Sequence, residues 1–211
     1  AQIYGIDDML MKTAYDVHKK ALEKAGIKIV ATETFQKGDV DYSAQLTKIK
    51  ATNPDIIVIG GLAEETANIV RQARQLGIPA STIMLGANAA ISTKLHDLAG
   101  PAAEGFLVGS GWFIGYDSPR NKAFVDAYRA KYNAAPDTFA AQAYAAVYVF
   151  ADALKRAGGA DDPVKLRDAI ASTKDLETSL GKISFDANRE PVLSTKVLEL
   201  KDGKFVLASG D

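Results

Sequence analysis

Cysteine is absent from the 211 residues. That removes thiol catalysis, disulfides and cysteine-held metals. Histidine is scarce, with only His18 and His96. His18 sits among Ala14, Ala21 and Leu22 on an apolar helix face and reads as a packing residue, while His96 falls on a short polar helix and reads as exposed. No serine is spaced with a histidine and a carboxylate in a way that marks a nucleophile and its base. A basic excess is also missing, since 25 Lys and Arg face 26 Asp and Glu. Nothing here tracks a phosphate backbone, so nucleic-acid binding is not expected. No apolar run approaches the ~20 residues that a membrane span needs, so no membrane insertion is expected. No signal peptide or lipid-attachment cysteine is recognisable, which suits a mature, cytosolic or cut chain.

Most legible is the stretch from Asn53 to Ala90. Ile56-Ile57-Val58-Ile59 is a continuous apolar run between turn residues, the pattern of a strand buried on both faces. Thr66, Ile69, Val70, Ala73 and Leu76 then recur at helical spacing. Gly77 is placed to end that helix, and Pro79 bars its continuation. Thr82 to Leu85 is a second strand. This is a β-α-β unit, whose strands are parallel and whose crossover is right-handed. Ligands of open α/β sheets bind at the carboxyl ends of the strands, here the loops after Ile59 and after Leu85.

The same grammar extends both ways. Ala1 to Tyr4 reads as the end of a strand, Met9 to Ala25 as a helix with Ala14, Val17, His18, Ala21, Leu22 and Ala25 on one face, and Lys28 to Thr32 as a strand. Tyr42, Leu46 and Ile49 stripe a short helix. Ser92 to Ala99 is another, and Gly105 to Gly109 a further strand. Residues 1–110 thus form a doubly wound parallel sheet. Beyond Trp112 the pattern turns helical. Ser118-Pro119 opens a helix striped by Phe124, Val125, Tyr128 and Tyr132. Thr138 to Ala157 is a long helix with Ala143, Val147, Phe150, Ala151 and Leu154 on one face. Asp162-Pro163 opens a third. Ile183 to Phe185 is a short strand, and Thr195 to Leu200 with Lys204 to Leu207 forms a C-terminal β-hairpin around Asp202-Gly203. The stripe of the long helix needs a sheet to cover it, and residues 116–185 supply almost none.

Several motifs could carry chemistry. Asp7-Asp8 has the look of a phosphoacceptor pair, but Gly60-Gly61 stands where a third aspartate is required; a solvated loop or helix cap is the plainer reading. Gly109-Ser110-Gly111 lacks the third glycine of a dinucleotide loop, and Gly60-Gly61-Leu62-Ala63 lacks the phosphate-loop lysine. Gly60-Gly61 fits either a close backbone approach to a ligand or a tight turn. Glu64-Glu65 suits the acidic first turn of a helix, with cation binding as the other reading. Trp112 and Phe113 either stack on a ligand or cover a joint between domains. No metal, cofactor or covalent chemistry is expected.

Several ordered pieces carry a resemblance. They are the Asp7-Asp8 loop with its helix ending Lys24-Ala25-Gly26-Ile27; Thr34-Phe35 and then Asp41-Tyr42-Ser43-Ala44-Gln45-Leu46; Arg71-Gln72-Ala73-Arg74-Gln75-Leu76-Gly77-Ile78; Ala103-Glu104-Gly105; Ala141-Gln142-Ala143-Tyr144; and Gly181-Lys182-Ile183-Ser184-Phe185-Asp186. Together they resemble the solute-binding proteins of branched-chain-amino-acid-type ABC transporters, the type I periplasmic binding proteins. The resemblance implies two α/β lobes that clamp a small-molecule solute, an ABC permease as partner, and a periplasmic location. It implies that this chain is a fragment beginning at the second lobe. Residues 1–115 plus 187–211 would form that lobe, and 116–186 would be helices that pack on the missing first lobe, or on a second copy in a domain-swapped dimer. Carried over by position, the ligand contacts are Met9, Leu62, Ala63, Asn88 and Ala89, with Trp112 nearby. In amino-acid binders the position of Asn88 tends to hold a carboxylate for the ligand ammonium. An uncharged Asn88 implies a solute without one, such as an aromatic or aliphatic carboxylate, since an unpaired buried ammonium is costly. The competing readings are an α/β enzyme or regulatory module using the same crevice, and a half-receptor scaffold without binding activity.

Overall fold

The computed structural model describes residues 1–208. In chain order the elements are β1 (Gln2–Gly5), α1 (Met9–Lys24), β2 (Thr32–Phe35), α2 (Ser43–Ala51), β3 (Ile56–Gly60), α3 (Ala63–Gln75), β4 (Ile83–Gly86), α4 (Thr93–Ala99) and β5 (Leu107–Ser110). There follow α5 (Pro119–Tyr132), α6 (Thr138–Ala157), α7 (Pro163–Ala171), β6 (Leu176–Thr178), β7 (Gly181–Phe185), β8 (Pro191–Val192), β9 (Lys196–Lys201) and β10 (Lys204–Leu207). They divide into two units, Ala1–Gly109 with the stretch from Val197 onward, and Ser110–Lys196.

The first unit is built on β3. Ile57, Val58 and Ile59 are buried, as a strand covered on both sides requires. The sheet order is β10-β9-β5-β4-β3-β1-β2, parallel except for the terminal hairpin. The chain steps one way from β1 to β2 and the other way from β2 to β3, β4 and β5. The sheet therefore reverses direction between β1 and β3. Right-handed crossovers put α1 on one face and α2, α3 and α4 on the other. In α3, Thr66, Ala67, Ile69, Val70 and Ala73 are buried. Each large aliphatic chain among them contributes roughly 1.5–3 kcal/mol by leaving water. Gly77, at φ +79°, ends the helix, and the Ile78 amide donates to the Ala73 carbonyl at 3.0 Å, the long bond of a Schellman turn.

Two details differ from the sequence reading. The second strand lies at Thr32–Phe35, not Lys28–Thr32. Its register is set by β1, which pairs Gln2 with Thr32 and Gly5 with Phe35. Phe35 is buried edge-on to Tyr42, whereas Val30 is 39% exposed. Burial of one aromatic ring outweighs a run of strand-forming residues. In α1 the buried residue is Met11, and Ala14, Tyr15, His18 and Leu22 are half-buried behind it. Tyr15 stacks on Tyr4 of β1 at 4.1 Å. Val17, Ala21 and Ala25 of the expected face are exposed, because this aromatic stack rotates the helix toward its tyrosine side.

The second unit is three helices with a small antiparallel sheet in the order β6-β7-β8. Only one short strand is expected there from sequence; β6 and β8 are too short to show a period. Caps fix the helix starts. The Ser118, Asp137 and Asp162 side chains accept amide bonds from the first turns of α5, α6 and α7. The core is Trp112, Phe124, Val125, Ala141, Ala145, Val149, Leu180 and Ile183. In α6 the buried side is thus Thr138, Ala141, Ala145, Val149 and Ala153. The stripe read from sequence runs along the other side. Ala143, Val147, Phe150 and Ala151 are exposed and Leu154 is half-buried.

Candidate functional site

The β1–β3 reversal point of the first unit is where an open α/β sheet leaves a crevice at its carboxyl edge. Three turns meet that edge, from the adjacent strands β1, β3 and β4.

The first turn runs from Gly5 to Met9. Asp8 caps α1, its Oδ1 accepting from the Leu10 and Met11 amides at 2.8 and 3.1 Å. The Asp7 carboxylate accepts from the Lys37 amide at 3.0 and 3.2 Å, tying this turn to the loop after β2. Both aspartates have structural jobs. Met9, the first residue of α1, is 79% exposed.

The second turn is Gly60-Gly61-Leu62-Ala63. A Cβ on Gly60 would lie 2.9 Å from the Cβ of Tyr4, and one on Gly61 would lie 3.2 Å from the Thr66 hydroxyl. Close approach of β1 thus requires Gly60, and Gly61 lies in tight contact with the first turn of α3. The Glu65 carboxylate reaches back to the Leu62 amide at 2.8 Å, closing the N-terminus of α3. Glu64 pairs with Lys94 of α4 at 2.6 Å. That hydrogen bond and charge hold the Glu64 carboxyl below its ordinary range and raise Lys94. Leu62 and Ala63 are half-buried at the mouth of this turn.

The third turn follows β4. The Ala87 amide donates to the Ile59 carbonyl at 3.2 Å, pinning the turn to β3. A single 3-10 turn, Asn88–Ala90, comes next, with Asn88 and Ala89 half-buried. Ser92 caps α4 through the Lys94 amide. The edge thus gathers Met9, Leu62, Ala63, Asn88 and Ala89 on the ends of three neighbouring strands. Trp112 belongs to the second unit. It is 3% exposed, packs edge-on against Phe124, and donates its indole N–H to Asn121 Oδ1 at 2.7 Å.

Three features of this edge were not read from sequence. Glu65 clasps the turn by accepting from the Leu62 amide, and with leucine at position 62 the capping-box signature that would have flagged it is incomplete. Lys94 pairs with Glu64 across thirty residues, which no local pattern shows. The Thr66 hydroxyl is fully buried and has no hydrogen-bond partner among the described residues. Among the described residues, no group of three or more His, Asp or Glu is placed to hold a metal ion. His18 is half-buried, and burial lowers its pKa. A recess of about 320 Å³, bordered by Lys50, Asn53, Asp55 and Ser81, opens at the amino ends of β3 and β4 instead. Ligand crevices of such sheets lie at the opposite end.

A family model described as "Periplasmic binding protein" matches residues 9–204. The leucine-, isoleucine-, valine-, threonine- and alanine-binding protein of Pseudomonas aeruginosa is 34% identical over 168 residues, 80% of this chain and 44% of that protein. The solved structure of leucine binding protein LivK from Thermotoga maritima superposes with a TM-score of 0.90 at 30% identity, covering 99% of this chain and 59% of that one. The branched-chain amino acid transporter substrate binding protein LivJ from Streptococcus pneumoniae, solved with isoleucine, gives 0.83 at 35% identity, covering 97% and 57%. The chain spans about half the length of the curated relatives it matches.

Proposed function

Because the chain belongs to the periplasmic binding protein family, we propose that it is the second lobe of a periplasmic solute receptor, residues 1–115 plus 187–211, with 116–186 as helices that return to a first lobe. In this reading it captures a small organic solute and presents it to an ABC permease. It does no covalent chemistry. The observation that carries the reading is the carboxyl edge at the β1–β3 reversal, where Met9, Leu62, Ala63, Asn88 and Ala89 sit on three adjacent strand ends. Such an edge offers a solute backbone groups and short apolar side chains from rigid elements. Closure would have to add contacts that the open form lacks, or the permease receives no signal.

The solute class follows from charge. Every acid at this edge already holds a partner: Asp7 the Lys37 amide, Asp8 the start of α1, Glu65 the Leu62 amide, and Glu64 the Lys94 ammonium. Asn88 is an uncharged amide in the turn where the resemblance places a carboxylate. These facts favour an aliphatic or aromatic carboxylate without an ammonium group. The second reading is a branched-chain amino acid, favoured by the ligands that the relatives' names carry.

Calorimetric titration with leucine, 4-methylpentanoate and benzoate separates these readings, using this chain and one extended to its relatives' length. Tighter binding of 4-methylpentanoate than of leucine is expected. Tight leucine binding refutes the charge argument and leaves the receptor reading standing. Heat from none of the three, in either length, refutes both as stated.

A further inference from the structure

Ala103-Glu104-Gly105, just before β5, has no part in the carboxyl edge. The Glu104 carboxylate accepts from the Asp202 amide at 2.9 Å and from the Gly203 amide at 3.2 Å, so both its oxygens hold the turn of the β9–β10 hairpin. The Gly105 amide donates to the Leu200 carbonyl, and the Leu200 amide to the Phe106 carbonyl, each at 2.9 Å, which fixes β9 beside the start of β5. His96 of α4 lies against the same turn. A Cβ on Gly203 would fall 2.9 Å from its Nε2. Its Nδ1 is buried without a hydrogen-bond partner among the described residues, 3.9 Å from Glu104 Oε1. A buried polar atom left unpaired is uncommon. This one stands about 1 Å short of a charge-assisted hydrogen bond to a carboxylate.

We propose that His96 and Glu104 form a proton-operated clasp on the hairpin. A protonated His96 draws in the Glu104 carboxylate and tightens the turn that it holds; a neutral His96 leaves the turn looser. Histidine is the side chain that ordinarily changes charge between about pH 5 and 8. The imidazolium gains this partner only in the folded chain. The added stability is therefore present below the ordinary histidine pKa and is lost as the pH rises through it. Among the described residues, Glu104 is the carboxylate within 4.0 Å of the imidazole. The other charges nearby are Lys94 and Asp97 on α4, and Lys201, Asp202 and Lys204 on the hairpin. The lysines oppose a positive ring, and Glu104 favours it. On α3, which packs against α4, Glu64 is held by Lys94, Glu65 by the Leu62 amide, Arg71 by Asn68, and Arg74 by carbonyls beyond its helix. The clasp sits on the strands that carry the chain between units. The chain leaves the first unit within β5, after Gly109, and re-enters it at Val197 in β9. Glu104 and the hairpin turn lie at the other ends of those two strands. The clasp does not depend on which solute is bound.

Amide hydrogen exchange, followed by NMR on the 211-residue chain and corrected for the intrinsic rate at each pH, tests the clasp. Protection at Leu200, Asp202 and Gly203 is taken relative to Ile57 and Ile59 of the central strand, which cancels any global change in stability. Between about pH 8 and about pH 5.5 the ratio should rise about two- to fivefold, the scale of a half-exposed ion pair. His96→Gln should make it flat. Glu104→Gln keeps an acceptor for the two amides but removes the charge, so the rise should vanish there too, or reverse under the remaining lysines. Three results would overturn the proposal. One is a ratio that does not change with pH in the unaltered chain. Another is an equal rise in His96→Gln, which would assign the effect to a different group. The third is a rise that persists in Glu104→Gln, which would give His96 another partner. Should Glu104→Gln fail to fold, the His96→Gln comparison decides by itself.

Discussion

Helix α3 of the first unit carries one apolar stripe, and that stripe is buried on the sheet. Helix α6 of the second unit carries two, and only one is buried. Both obey the same helical period. The difference is the amount of surface that each unit can offer. A seven-stranded sheet gives α3 a floor along its length. In the second unit, three short strands and two neighbouring helices form a core on one side of α6. Periodicity tells which residues want cover; it does not tell which partner supplies it.

Substitution breaks or sharpens that contrast, and the largest effect falls on the buried side of the second unit. Phe124 packs on Trp112 and Tyr144 with ring centroids 6.2 and 4.7 Å away. Phe124→Ala should lower unfolding free energy by about 3–5 kcal/mol in denaturant titration. Next comes the floor of the first unit. A Cβ on Gly86 would run into the ring of buried Phe106, so Gly86→Ala should destabilise by about 1–3 kcal/mol through overpacking.

A pH effect follows in the first unit. Tyr42 is fully buried and donates its hydroxyl to the Asp39 carbonyl at 2.5 Å. Burial, then the charges of Glu65 and Asp39, push its pKa from 10.0 up to about 12. The folded state holds this proton longer than the unfolded chain. Its contribution is therefore complete below pH 10 and is lost as the pH rises toward 12. Thermal melts across that range should show a stability loss that Tyr42→Phe reduces. The smallest effect is expected on the open side of α6. Val147→Asp should change monomer stability by no more than ~0.5 kcal/mol, because the residue is already solvated. A loss of several kcal/mol in dilute protein would show that this side is covered.

The first unit was legible because its signals are local. Ile56 to Ile59 marks a strand covered on both faces, and Gly77-Ile78-Pro79 ends a helix. Alternation of such pieces leaves few topologies. The candidate site was legible only as a set of loops, since the carboxyl edge follows from strand direction alone. The partners inside those loops were not. Asp7 with the Lys37 amide and Glu64 with Lys94 join residues thirty apart, and only the folded sheet brings them together. Trp112 shows the same limit. From sequence it could either stack on a ligand or cover a joint, and its burial against Phe124 and hydrogen bond to Asn121 depend on how α5 folds back.

What the sequence determined by itself was the alternation of elements, their caps and the direction of the sheet, because each rests on backbone geometry within a few residues. Tertiary structure decided the register of β2, the rotation of α1 and the side of α6 that is buried. In each case burial of an aromatic or aliphatic side chain against a distant partner outweighs local propensities worth a few tenths of a kcal/mol per residue.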